Sequence, residues 1–202
     1  NGNPRTVQLI ETKTLKSKLL LQSANPLAAY ATGALSIFTI KNNAGTELYC
    51  RMFKPVNFDS TKKYPVIVYW YGGPHAQMIL NAWNGGAGDY WFQYMAERGY
   101  VVFTLDTRGS DNRGKAFEQA IFRRAGEAQM EDMMSGVNYL TALPYVDKDR
   151  IGAVGASYGG YSVFMLAGIH ENRFKTFIAH DGLFDMKSWY LTTEELFFAN
   201  WD

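Results

Sequence analysis

From residue 63 onward the chain alternates between two hydrophobic periods. Residues 64–71, 100–105, 150–154 and 174–179 are short, nearly continuous apolar runs. Runs of that length and composition predict strands buried on both faces. Longer segments lie between them. Residues 88–98 predict an aromatic-rich helix ended by Gly99. Residues 127–143 carry Met130, Met133, Met134, Val137 and Leu140 at the spacing of one helical face, which predicts a methionine stripe turned to the core. Residues 162–169 are apolar and free of breakers, and predict a buried helix. Strand alternating with helix implies a mostly parallel sheet covered on both faces, the α/β class.

The first residues follow another pattern. Residues 6–12 and 16–22 are strand-like runs joined by a polar turn, as at the end of a separate β-rich module. Asn25-Pro26 predicts the start of a short helical piece, with asparagine as cap and proline in the first turn. Residues 36–40 and 47–53 predict a hairpin around Asn42-Asn43-Ala44-Gly45. The expected boundary separates residues 1–25 from residues 26–202.

Composition narrows the class. Apolar residues make up 47% and charged residues 19% of the 202, the balance of a globular protein. A net charge of +1 gives no electrostatic case for nucleic acid or an anionic membrane. No apolar run reaches the roughly 18 residues that a membrane span needs. The start does not resemble a signal peptide, and the compartment stays open. Cys50 is the single cysteine, so no internal disulfide or thiolate metal cluster can form, and it is expected to be a small buried residue. No cofactor or metal is expected.

The chemistry gathers around Gly155-Ala156-Ser157-Tyr158-Gly159-Gly160-Tyr161. A Gly-x-Ser-x-Gly between strand and helix is the nucleophile elbow of α/β-hydrolases. Gly155 and Gly159 are needed because side chains there would collide across the turn. Ser157 is the expected nucleophile, and the helix behind it favours developing negative charge. The Tyr158 N–H is one expected oxyanion donor. The loop Tyr71-Gly72-Gly73-Pro74, at the end of the first strand of the parallel set, is the source of the second, with the Tyr71 phenol as one candidate donor. Tyr71, Asp106, Ser157 and His180 all fall at carboxyl ends of strands, where sites in such sheets sit.

A serine hydroxyl needs a histidine base and an orienting acid. In this fold the order is serine, acid, histidine. His75, His170 and His180 do not fit that order, so the base and the acid are expected beyond Asp202. Asp181 and Asp185 are read as loop carboxylates. Asp106 and Arg108 are read as an ion pair shaping their loop. Trp189 and Tyr190 are candidates for an apolar specificity pocket, and Thr192 with Glu195 predicts a capping box.

Three motifs in this order, Tyr-Gly-Gly-Pro, Asp-Thr-Arg-Gly-Ser and Gly-Ala-Ser-Tyr-Gly-Gly-Tyr, resemble the prolyl oligopeptidase family of serine peptidases. The resemblance implies that residues 26–202 are the first part of a C-terminal α/β-hydrolase domain, truncated before its last strands. Residues 1–25 would then be the last strands of a preceding β-propeller. Residues 64–74 are similar to the dipeptidyl peptidase IV branch, whose tyrosine at the position of Tyr71 serves the oxyanion hole. Ala156 departs from that branch, which usually has tryptophan there. The segment after His180 looks more like acylaminoacyl-peptidases and their dipeptidyl-peptidase relatives. The implied activity is a serine exopeptidase acting on peptides, dipeptidyl-peptidase-like. An acylaminoacyl-peptidase or esterase of the same fold, or a non-catalytic binding module without a complete triad, are the alternatives. The resemblance also implies a homodimer and an exported protein, periplasmic or extracellular.

Overall fold

The computed structural model describes residues 4–83 and 89–189. Two strands, β1 (Thr6–Ile10) and β2 (Ser17–Gln22), pair antiparallel and form a sheet of their own. Every residue of both strands is exposed. The expected helical piece at Asn25-Pro26 is instead a hydrogen-bonded turn over residues 26–29. Asn25 still acts as the cap, its Oδ1 accepting the Leu27 N–H at 2.9 Å, but the bonds that follow, Ala28 N–H to Asn25 and Tyr30 N–H to Leu27, close successive turns and no helix.

The second sheet has six strands among the described residues, β3 (Ala34–Lys41), β4 (Glu47–Lys54), β5 (Tyr64–Trp70), β6 (Val101–Leu105), β7 (Val146–Ala156) and β8 (Thr176–His180). Their spatial order is β3-β4-β6-β5-β7-β8. The contacts β6–β5, β5–β7 and β7–β8 are parallel. The β3–β4 hairpin adds an antiparallel edge through β4 against β6, Cys50 opposite Leu105 and Phe53 opposite Val102. Strand order reverses between β5 and β7, which places a crevice beyond the carboxyl ends of those two strands.

Helices α1 (Asp89–Glu97), α2 (Lys115–Glu118), α3 (Glu127–Ala142), α4 (Tyr158–Ile169) and α5 (Met186–Trp189) complete the elements, with two short 3-10 turns. The period of two in the strands decides which face each helix meets. Cys50, Met52, Val66, Val68, Trp70, Val101, Phe103 and Leu105 point to one face and pack with the α3 stripe and with Val163 and Leu166 of α4. The alternate positions Phe53, Tyr69 and Val102 point the other way and pack with Phe92 and Ala96 of α1. The five stripe residues Met130, Met133, Met134, Val137 and Leu140 are all buried, as their spacing predicts. Helix α1 stops where the Tyr100 N–H bonds to the Met95 carbonyl and the Gly99 N–H to that of Ala96, the paired bonds of a Schellman ending.

Arg51 occupies an inward position of β4 under α1, only 1% exposed. Its Nη1 lies 2.7 Å from Asp89 at the start of α1, and its guanidinium sits over the Phe53 and Phe92 rings. Cys50 is fully buried, and burial pushes its thiol far above the ordinary range, so it serves as core rather than as a nucleophile.

Candidate active site

Strand β7 runs into α4 through a single residue. Ser157 takes φ 57° and ψ −122°, backbone angles that an L residue adopts only when its surroundings impose them. Its N–H bonds to the His180 carbonyl at 3.0 Å and its carbonyl accepts the Tyr161 N–H at 3.2 Å. The turn is thus tied both to β8 and to the first turn of α4. A Cβ on Gly155 would run into the backbone of Gly159, as the tight turn requires. A Cβ on Gly159 would run into the Trp70 carbonyl on β5. The second glycine therefore answers to the neighbouring strand, a reason the spacing alone does not reveal. Ser157 itself is exposed at the sheet edge.

Tyr158 opens α4, so its backbone N–H lies at the positive end of the helix dipole. Its side chain is 2% exposed. Gln129 of α3, fully buried, donates from Nε2 to the Tyr158 hydroxyl at 3.1 Å, and its Oε1 accepts the Gly126 N–H at 2.9 Å. Tyr71 directly follows β5, half-buried, with its ring 6.4 Å from that of Tyr158. The Trp189 ring lies 5.7 Å from that of Tyr158, and the Tyr161 ring 5.2 Å from it. Tyr71, Tyr161 and Trp189 thus gather around the ring of Tyr158, the residue after Ser157. Tyr190 and the capping box at Thr192 and Glu195 lie outside the described residues.

The loop carrying Tyr71 is pinned to the loop after β6. The His75 N–H bonds to the Gly109 carbonyl at 2.9 Å, and Asn112 donates to Gln77 at 2.7 Å. The Asp106 carboxylate accepts the N–H groups of Met78 and Ile79 at 2.7 and 3.1 Å. Burial raises the Asp106 pKa to about 6, against the opposing pull of those two N–H groups and of Arg51 and Arg113. The expected Asp106–Arg108 ion pair does not form. Arg108 turns to α3 instead, where its Nε reaches Asp132 at 3.0 Å and its Nη2 reaches Glu131 at 2.7 Å. Asp132, with no exposed surface, also accepts from Asn42 in the β3–β4 turn at 2.8 Å. Both carboxylate partners of Arg108 are on α3, while Asp106 is held by backbone N–H groups.

Among the described residues, none of the three histidines hydrogen-bonds the Ser157 hydroxyl. His75 faces Asp111 at 3.1 Å, and His180 faces Asp181 at 2.9 Å, both pairs well exposed. Asp185 caps α5, accepting the N–H groups of Lys187 and Ser188. Gln129, Asp132 and Ser162 are the residues of this neighbourhood that the sequence reading passed over. Gln129 lies four residues before Met133 on the apolar stripe, so its burial was legible from spacing. Its partner was not.

The family model for the prolyl oligopeptidase family matches residues 88–202. Dipeptidyl-peptidase 5 of Porphyromonas gingivalis is 39% identical over 192 residues, a match covering 94% of this chain and 26% of the relative. Dipeptidyl peptidase 8 of Homo sapiens is 34% identical, with 88% and 21% covered. Among solved structures, a candidate dipeptidyl aminopeptidase IV from Bacteroides ovatus superposes with a TM-score of 0.86 at 44% identity, covering 91% of this chain and 27% of that one. Dipeptidyl peptidase 4 of P. gingivalis gives a TM-score of 0.81 at 31% identity, with 88% and 25% covered. The chain spans about a quarter of the length of these relatives. With the motif order, the mostly parallel sheet and the turn at Ser157 all in agreement, the chain belongs to the prolyl oligopeptidase family and carries its α/β-hydrolase fold.

Proposed function

We propose that this chain is part of the catalytic domain of a dipeptidyl-peptidase-like serine exopeptidase, with Ser157 as its nucleophile. The observation that carries the reading is the positive-φ backbone of Ser157 at the β7–α4 junction, with Tyr158 next to it and the Tyr71 ring 6.4 Å from that of Tyr158. In this reading the Ser157 Oγ attacks the peptide carbonyl carbon while a histidine base takes its proton. The carbonyl oxygen gains charge and is held by the Tyr158 N–H and the Tyr71 phenol. The C–N bond then breaks, the amine leaves with the proton, and water releases the acyl group by the reverse path. The base and its acid come from sequence beyond residue 202. Residues 1–25 are taken as the last strands of a β-propeller, supported by the β1–β2 pair standing apart from the main sheet.

The test is made on the full-length protein. Fluorophosphonate treatment followed by peptide mapping should place one adduct on Ser157. Ser157→Ala should leave the melting temperature within a few degrees of wild type and reduce peptide turnover by about a million-fold. Normal turnover by a folded Ser157→Ala protein overturns the reading. A panel of dipeptidyl, acyl-aminoacyl and simple ester substrates separates the exopeptidase from the related activities. Light scattering tests the homodimer.

A further inference from the structure

The first turn of α4 is built against the end of β5 at two points. Gly159 brings its backbone so close that any Cβ would meet the Trp70 carbonyl, and would lie 3.2 Å from the Tyr71 Cα. One turn on, Ser162 donates its hydroxyl to the Tyr71 carbonyl at 3.1 Å. Ser162 has no exposed surface and is the only hydroxyl between Tyr161 and Ile169, in a helix otherwise apolar on every side. A helical serine commonly turns its hydroxyl back to the carbonyl four residues earlier. Here that would be Tyr158, yet the bond goes across to another element. A Cβ on Gly72, the next residue after Tyr71, would lie 3.5 Å from the same hydroxyl.

We propose that Ser162 is a positioning residue for the oxyanion site, acting through Tyr71. The inference rests on the catalytic reading given above. Tyr158 and Ser162 lie one turn apart on one rigid helix, so the bond to the Tyr71 carbonyl sets where the phenol stands relative to the Tyr158 N–H. Oxyanion donors act only when preorganised about the position that the charge will occupy. The loop opens with Gly72 and Gly73 and is tied to the loop after β6 further on, from His75 to Ile79; at Tyr71 itself the tie is the Ser162 hydroxyl. The phenol keeps its chemistry without Ser162, but loses its place.

The experiment measures labelling of Ser157 by a fluorophosphonate in the full-length protein, resolving the maximal rate from the half-saturating concentration. The Ser157 oxygen bonds to phosphorus, fluoride leaves, the proton goes to the base, and the phosphoryl oxygen takes the oxyanion position. Ser162→Ala should slow the maximal rate about tenfold with half-saturation unchanged. Tyr71→Phe should slow it at least as much. The double variant should be no slower than Tyr71→Phe alone, because Ser162 has nothing left to position. Should Ser162→Ala fail to fold, Ser162→Cys, close in volume and a poor donor, carries the same expectation. Wild-type labelling by Ser162→Ala overturns the proposal, and so does an equal slowing in the Tyr71→Phe background, which marks a general structural effect. A Tyr71→Phe protein that labels like wild type overturns it too. Absence of any labelling of the wild type at Ser157 is a different result, since it removes the catalytic reading itself.

Discussion

Gly159 and Ser157 divide the work of the turn between them. The serine bears the unfavourable backbone angles, and the glycine permits the close approach to β5 that imposes them. Gly159→Ala should therefore cost more than the roughly 1 kcal/mol or less that helix propensity alone would change, and in the opposite direction, because alanine is the better helix former. The expected outcome is a lower melting temperature together with loss of fluorophosphonate labelling. A stable, fully labelled Gly159→Ala protein would mean that α4 can back away from the strand without harm. Asp106 gives a second test at this scale. Its folded pKa of about 6 lies above the ordinary value of 3.8, so the group contributes stability below about pH 4 and that contribution is lost as pH rises through 6. The change is on the order of 2–3 kcal/mol across that window. Urea midpoints measured from pH 4 to 7 should fall more steeply for wild type than for Asp106→Asn.

At the scale of elements, the contact between α1 and the sheet depends on one buried charge pair as well as on its aromatic rings. Arg51 stands at an alternating strand position where an apolar residue would be expected, and Asp89 is the group that compensates it. Burial lowers the Arg51 pKa, and the aspartate works against that shift. Asp89→Ala would leave the buried guanidinium beneath the helix without its ion-pair partner, only the more distant Asp106 charge remaining, with an expected loss of about 3–5 kcal/mol in chemical denaturation. A loss under 1 kcal/mol would show that the Phe53 and Phe92 rings suffice to hold the cation. The loops at the carboxyl ends show the same dependence on partners distant in sequence. Arg108, Asp132 and Asn42 join the β3–β4 turn, α3 and the loop after β6, and the Gly109 carbonyl in that loop holds the segment after Tyr71. Asp106 and Arg108 are two residues apart and of opposite charge, which made an ion pair the natural expectation. The geometry at the strand end sends one toward Met78 and Ile79 and the other toward α3.

For the whole molecule, the alternation of strand and helix after residue 63, the buried face of α3 and the turn at Ser157 were all legible along the chain. Each rests on local physics. Period two or period 3.6 settles which side chains share a face, and a glycine pair around a serine settles where a sharp turn is sterically possible. The hairpin of residues 36–40 and 47–53 was legible too, but its attachment to β6 was not, because backbone hydrogen bonds carry no sequence label and any strand with an apolar face satisfies the pattern. Strand order, and hence the crevice between β5 and β7, came only with packing. So did the partners of the buried polar groups. The Ser162–Tyr71 and Asn42–Asp132 bonds each join residues about ninety positions apart, and a buried donor is satisfied by whichever acceptor the assembled core brings within 3 Å or so. The sequence by itself determined the class of fold, the buried face of α3 and the place of the candidate nucleophile; β8, expected to be buried on both faces, has no fully buried residue. Which groups hold that nucleophile's neighbours in position was decided by the tertiary structure, because a hydrogen bond depends on distance and angle in space and not on spacing along the chain.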